Sequence, residues 1–223
     1  MFQSPIRSAA ILPPRDALAL LDRTGIAPAI EVRALAAAEI DAALPVLGRL
    51  RAQMFREWPY LYDADPEFER HYLRAIGSTP GATLIVALDG EEIVGAASAS
   101  PLLVQEDDLV TPFAAAGWDV GSIFYFGESL LLPPYRGRGV GHRFFDLRER
   151  QARLAGASHA VFASVERPPC HPGRPPQYAP LDPFWRRRGY RPLENPACTL
   201  MWKDTLATAE MPHRMRLWHR VLA

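Results

Sequence analysis

Hydrophobic positions change period several times along the chain, and each change marks an element. Ile30, Val32 and Ala34 alternate with Glu31, Arg33 and Leu35, the period of a half-buried strand. From Glu39 the period lengthens: Ile40, Leu44, Leu47, Leu50 and Met54 fall on one helical stripe, with a kink expected at Pro45. Asp65-Pro66 reads as an N-cap followed by a first-turn proline, opening a second helix through Glu67, Tyr72 and Ile76. Residues 83–88 and 93–100 flank Asp89-Gly90, a dipeptide suited to the positive φ angles of a tight hairpin turn. Residues 101–121 are less regular, and the acidic patch at Glu106, Asp107 and Asp108 predicts a solvated loop. Next, 123–126 is aromatic and β-branched. Beyond a glycine-rich run, Phe144, Leu147, Gln151 and Leu154 recur at helical spacing, with Asp146/Arg150 and Glu149/Arg153 pairs expected on the outside.

The later pattern completes the series. Gly156 suits a left-handed helix cap, and 159–165 reads as a buried strand, so strand, helix and strand make a parallel βαβ unit. Residues 167–180 hold too many prolines for a regular element and predict a stiff loop of the kind that carries specificity, with Tyr178 inside it. Asp182-Pro183 repeats the N-cap and proline pattern ahead of a short helix that Gly189 ends. Leu200, Trp202, Met215, Leu217, His219 and Val221 show the alternation of a terminal strand pair.

The chemistry is most legible between Leu130 and His142. Glycine at 137, 139 and 141 removes Cβ atoms where the backbone turns into the helix, so consecutive N–H groups can converge on one anion, most often a phosphate. A Walker loop is excluded because His142 and Arg143, not Lys and Ser/Thr, follow Gly141. The dinucleotide fingerprint is excluded because one residue, not two, separates Gly139 from Gly141. What remains is Arg-x-x-Gly-x-Gly at Arg136, Gly139 and Gly141. It resembles the pyrophosphate-binding motif of the GNAT superfamily, the Gcn5-related N-acetyltransferases that take an acyl group from coenzyme A. The run Leu132-Pro133-Pro134-Tyr135-Arg136-Gly137-Arg138-Gly139 is similar to that family's strand-to-loop passage. Phe184-Trp185-Arg186-Arg187-Arg188-Gly189-Tyr190 is similar to the signature that ends its catalytic domain.

The resemblance covers most of the chain. It implies an α/β (α+β) class and the GNAT acyl-CoA N-acyltransferase fold, a central mixed twisted sheet flanked by helices in the order βααβββαβαββ. The expected organisation is an extension over 1–28, the acetyltransferase domain over 29–205 and a strand in 206–223 completing the sheet. Acetyl-CoA is the implied co-substrate, with no metal, and the implied activity is direct acetyl transfer to an amine of a small molecule or protein. By the same resemblance the amides of Gly137, Arg138, Gly139, Val140, Gly141 and His142 would hold the pyrophosphate. Arg136 or Arg138 would pair with a phosphate, and Leu130, Leu131 and Leu132 would offer backbone groups to pantetheine and the thioester. His142 fits the helix N-terminus better than a catalytic role. Trp58, Tyr60 and Tyr62, on the loop between the first two helices, and Tyr178 are the candidate acceptor-pocket wall, or simply packing.

Glu128 lies in an aromatic and aliphatic strand, where a bare carboxylate is costly unless it faces a cavity. The resemblance makes it the candidate general base. The alternative is a carboxylate fixing a bulge beside Gly127 or pairing with an arginine. Trp185 occupies the position where relatives carry a tyrosine acid, which leaves Tyr178, Tyr190 or water for that role, or a thiolate that departs unprotonated. No asparagine follows Val165-Glu166 as it often does in relatives. A second reading is therefore a non-catalytic sensor of acyl-CoA.

Composition narrows the partners. With 25 basic and 25 acidic residues the net charge is zero across 223 residues, which argues against nucleic-acid or anionic-membrane binding by bulk electrostatics. Cys170 and Cys198 match no metal or redox spacing, no apolar run approaches a membrane span, and no signal peptide is evident, so a cytoplasmic protein is expected. A homodimer is compatible with all of this.

Overall fold

The computed structural model describes residues 29–205 and 207–222, and the extension expected over 1–28 lies outside them. The strands are β1 (Glu31–Ala34), β2 (Thr83–Asp89), β3 (Glu92–Pro101), β4 (Ile123–Leu131), β5 (His159–Val165), β6 (Arg191–Pro192), β7 (Cys198–Trp202) and β8 (Met211–Val221). The helices are α1 (Ala37–Phe55), α2 (Pro66–Gly77), α3 (Asp107–Ala115), α4 (Val140–Leu154) and α5 (Asp182–Arg187). One mixed sheet runs β1-β2-β3-β4-β5-β8-β6, with β7 also on β8. Among the described residues its single parallel pair is β4 with β5, joined through α4 as the βαβ reading requires. Among the described residues no helix is long and apolar enough to cross a membrane.

Alternation along the strands sorts the helices onto two faces. Leu84 and Val86 of β2 meet Leu44, Leu47 and Leu50 of α1 and Leu73 and Ile76 of α2. Their neighbours Ile85 and Ala87 meet Val140 and Phe144 of α4 on the other side. α3 caps the α1 side through Leu109 and Phe113 against Ile123, Val161 and Leu217. Phe184 and Trp185 of α5 lie over Phe124, Phe126, Phe145 and Trp218 on the α4 side. The aromatic content of β4 and β5 is thus consumed largely in building this core.

β4 does not keep one phase. Ala99 of β3 pairs with Phe126 and Ala97 with Ser129, so Ser98 faces two residues, Gly127 and Glu128, across a bulge. A Cβ on Gly127 would collide with Ser98 Oγ, which explains the glycine. Before the bulge Phe124 and Phe126 point to α4. After it Leu130, of the same parity, joins the α1 cluster and Leu131 the α4 cluster.

Several expectations are corrected. Residues 101–121 are not a solvated loop. Asp107 and Asp108 open α3, where carboxylates favour the N-terminal dipole, and Leu109 and Phe113 are buried one turn apart. Pro45 lies inside α1, whose helix runs on both sides of it as the apolar stripe predicts. At the hairpin Asp89 is still paired in the strand, and Gly90, at φ +60, begins the turn. Asp65 caps α2 as expected, accepting from Glu67 N–H at 2.9 Å. Asp182, by contrast, is already the first residue of α5, behind an N-cap at Leu181 that makes no side-chain bond. On α4 the buried stripe is Val140, Phe144, Phe145, Arg148, Glu149 and Ala152, while Leu154 is 73% exposed. Glu149 is not an outer partner of Arg153; it lies inside, bonded to Arg188 and Arg220 at 3.0 Å each.

Candidate functional site

β4 and β5 pair only over Ile123–Tyr125 and His159–Val161. Beyond Tyr125 the two strands part, so Phe126–Leu131 and Phe162–Val165 border an opening in the middle of the sheet. Leu132 N–H donates to Val94 O at 3.0 Å. In an antiparallel ladder bonded and non-bonded residues alternate. With Leu130 opposite Ala96 and Leu131 opposite Gly95, the amides of Ser129 and Leu131 therefore turn away from β3, toward the side β5 has left. Of the three leucines, Leu130 sends its side chain into the core, and Leu131 and Leu132 are half-buried.

The glycine turn closes this opening at one end. Gly137 and Gly139 both have φ of +78, and a Cβ at either would meet no described residue within 4 Å. Gly139 O accepts from His142 N–H (3.1 Å) and Arg143 N–H (3.3 Å), so the amides of Val140 and Gly141 precede the first intrahelical bond and point out of the helix end. This open cradle of backbone donors at a dipole end suits a phosphate group, so the residues fit coenzyme A. Arg136 bonds to Leu131 O (3.1 Å) and Glu57 (3.1 Å), tying the turn to the end of β4. Arg138 lies over the Tyr135 ring at 5.4 Å. His142 packs edge-on against Phe184 with Arg188 3.3 Å from its Nδ1, a structural setting.

Glu128 sits in the bulge and is gripped from both faces. On the α1 side Arg51 Nη1 donates to its Oε2 at 2.5 Å, and the same guanidinium bonds to wholly buried Glu69 of α2. Burial works against the Arg51 charge, yet the carboxylates of Glu128 and Glu69 hold its pKa above the ordinary value. Oε1 of Glu128 takes no hydrogen bond from the described residues. On the α4 side Arg148 Nη1 reaches Glu128 O at 3.3 Å, and Nη2 reaches Ser129 Oγ at 2.9 Å. Both features weighed as alternatives for Glu128, the bulge and the arginine, are present.

Phenols line the α1 side. Burial pushes Tyr60 and Tyr72 up to about 12, with Arg51 and Glu128 nearby, and raises Tyr125 well above its ordinary value. All three hold their protons at neutral pH. The four predicted wall residues fall in two touching groups. Trp58 meets Tyr178 edge-on at 5.8 Å and His171 at 5.1 Å, with its buried Nε1 unpartnered among the described residues. Tyr60 and Tyr62 pack on Phe55 and Trp202. Arg167 fixes this loop by its backbone: Nε donates to Pro59 O (2.9 Å) and Nη2 to Tyr60 O (2.5 Å), while the guanidinium holds Asp204 at 2.7 Å through two bonds. Burial would raise Asp204, but Arg167 keeps it below the ordinary carboxylate range.

Two candidate acids separate clearly. Tyr190 is wholly buried and donates to Glu149 at 3.2 Å, with burial raising its pKa, so it is a core residue. Tyr178 stays half-exposed beside Trp58. Trp185 packs on Phe162 (5.1 Å) and Trp218 (5.0 Å). Among the described residues no group of three or more His, Cys, Asp or Glu could hold a metal. Arg51, Glu69, Tyr72, Tyr125, Ser129, Arg148, Arg167 and Asp204 were missed from sequence. Arg51 lies 18 and 77 positions from its partners. Its one local signal is a charge beside the apolar stripe of Leu47, Leu50 and Met54.

The model of the acetyltransferase (GNAT) family matches residues 49–171. Comparison with curated proteins finds no match. Among solved structures, a GCN5-related N-acetyltransferase of Kribbella flavida superposes with a TM-score of 0.53 at 20% identity, over 87% of this chain and 98% of its own. An acetyltransferase structure from Salmonella typhimurium, with acetyl-CoA as cofactor, gives 0.55 at 12% identity over 87% and 95%. A ribosomal-protein-alanine N-acetyltransferase of Brucella melitensis gives 0.53 at 16% over 86% and 99%. At these identities the likeness is one of fold.

Proposed function

The chain belongs to the GNAT acetyltransferase family, and on that premise we propose that it moves an acetyl group from acetyl-CoA to an amine of a small molecule or protein by direct transfer. The observation that carries this reading is the conjunction of the parted β4 and β5 with the open glycine turn at the head of α4. The amides of Gly137 to His142, with Arg136 and Arg138 beside them, bind the pyrophosphate. The outward backbone groups of Ser129 and Leu131 bind the pantetheine arm and align the thioester, which supplies the activated acyl group. Glu128 Oε1, which no described residue bonds, takes the proton of the acceptor amine directly or through a water. Trp58, Tyr60, Tyr62 and Tyr178 bound the acceptor.

The test is release of free thiol when protein loaded with acetyl-CoA is offered a panel of amines. Release with none of them, from protein that binds acetyl-CoA tightly, would favour the sensor reading, which Trp185 in place of a tyrosine supports. A second test bears on that position. Trp185→Phe is expected to keep most activity, because the indole is surrounded by Phe162 and Trp218 and phenylalanine preserves the apolar contact. A loss as large as that from removing an acid, at unchanged cofactor affinity, would assign the indole a direct role.

A further inference from the structure

On the sheet-facing side of α4 the neighbours Phe144, Phe145 and Ala152 are apolar, yet Arg148 stands among them at 1% exposure. Next to it Glu149 is neutralised by Arg188 and Arg220. Arg148 has no such partner among the described residues, and its hydrogen bonds go to Phe144 O, Glu128 O and Ser129 Oγ. Burying a guanidinium without an adjacent carboxylate is costly. Burial brings Arg148 down to about 10. Stacking between Phe126 (4.8 Å) and Phe145 (4.5 Å) offsets only part of that cost. An apolar side chain would fit the stripe without it, so stability does not account for the residue.

What the guanidinium does is hold one peptide. Glu128 O and Ser129 Oγ belong to either side of the Glu128–Ser129 peptide, at the bulge, where the β3 ladder is interrupted and β5 has already left. In a trans peptide the carbonyl and the N–H point in opposite directions. Drawing Glu128 O toward α4 therefore turns Ser129 N–H away from Arg148. At the bulge, where one residue of β3 faces two of β4, these two bonds hold the peptide against a change of tilt.

We propose that Arg148 is a positioning residue that locks the Glu128–Ser129 peptide so that the Ser129 amide faces the β4–β5 opening and can donate to the carbonyl oxygen of an acyl thioester. This rests on the reading of that opening as an acyl-CoA site. It assigns the polarisation of the carbonyl to a charge on the far side of the strand, acting through the backbone.

The test uses acetyl-CoA carrying ¹³C at the thioester carbonyl, with bound-state NMR and calorimetry on the full chain. The wild-type protein should shift the bound carbonyl resonance downfield. Arg148→Met should bind coenzyme A with unchanged affinity and show an equal or higher Tm, while the carbonyl resonance returns toward its free position. Arg148→Lys, which keeps a donor and the charge, should restore part of the shift. A wild-type shift in Arg148→Met would overturn the proposal. Should that variant fail to fold, Ser129→Ala decides, since Ser129 is exposed and its loss removes one of the two anchors; an undiminished shift there would overturn it equally. A wild-type protein that binds coenzyme A without shifting the carbonyl would sink this inference alone, whereas failure to bind coenzyme A would sink the acetyltransferase reading with it.

Discussion

Gly139→Val is expected to abolish coenzyme A binding in a protein that still folds. Gly139 is the N-cap of α4 at φ +78, ψ 0, so a β-branched side chain there costs about 1–2 kcal/mol in backbone strain. No described residue lies within 4 Å of the added Cβ, so no clash with them adds to that cost. The branched side chain instead fills the space in front of the helix-end amides, the proposed pyrophosphate site. Gly141 sharpens the point: its φ is not positive, and a Cβ there would make only ordinary contact with Phe184 at 3.6 Å. Nothing in the protein's own packing calls for that glycine, whereas a ligand resting on the backbone does. Calorimetry on the folded variant is the measurement, and retained affinity would remove the basis of the cofactor assignment.

Glu128→Gln should lower turnover on the order of a hundred- to ten-thousand-fold, the range for a positioned general base. The fold should tolerate the change, because Arg51 keeps Glu69 as its carboxylate partner and glutamine keeps the size. Coenzyme A affinity should hardly move, since the glycine turn is not in contact with Glu128. If turnover survives, Glu128 serves to hold Arg51, and the base must be sought among Asp63, Asp65 and Glu57.

Elements whose signals are local were readable from the chain alone. Asp65-Pro66, the buried-looking 159–165 stretch and the glycine run each announce themselves within a few residues, and all three lie where that signal predicts. α3 is hidden in the sequence by its acidic first turn, which reads as solvated chain, although Leu109 and Phe113 stand at helical spacing. The stripe of α4 was misassigned because charges were assigned to the outside. Arg148 and Glu149 violate that rule, one to reach the strand and one to meet two arginines from elements downstream. The site itself was half legible: backbone recognition is written in glycines, but the Arg51–Glu69–Glu128 cluster and the Arg167 grip on Pro59 and Tyr60 join residues with no sequence proximity.

The extra residue in β4 behaves like a frameshift within the strand. Upstream of it, even-numbered side chains are spelled for α4 and α5; downstream, even-numbered side chains are spelled for α1 and α2. Loss of Gly127 alone would leave Phe126 and Leu130 on their present faces, because the deletion restores the regular alternation that the bulge interrupts. The core would keep its composition, and only the spare peptide would vanish. A one-residue deletion would therefore remove the bulge while leaving the strand's hydrophobic grammar intact, so at this point in β4 length carries information that residue identity does not.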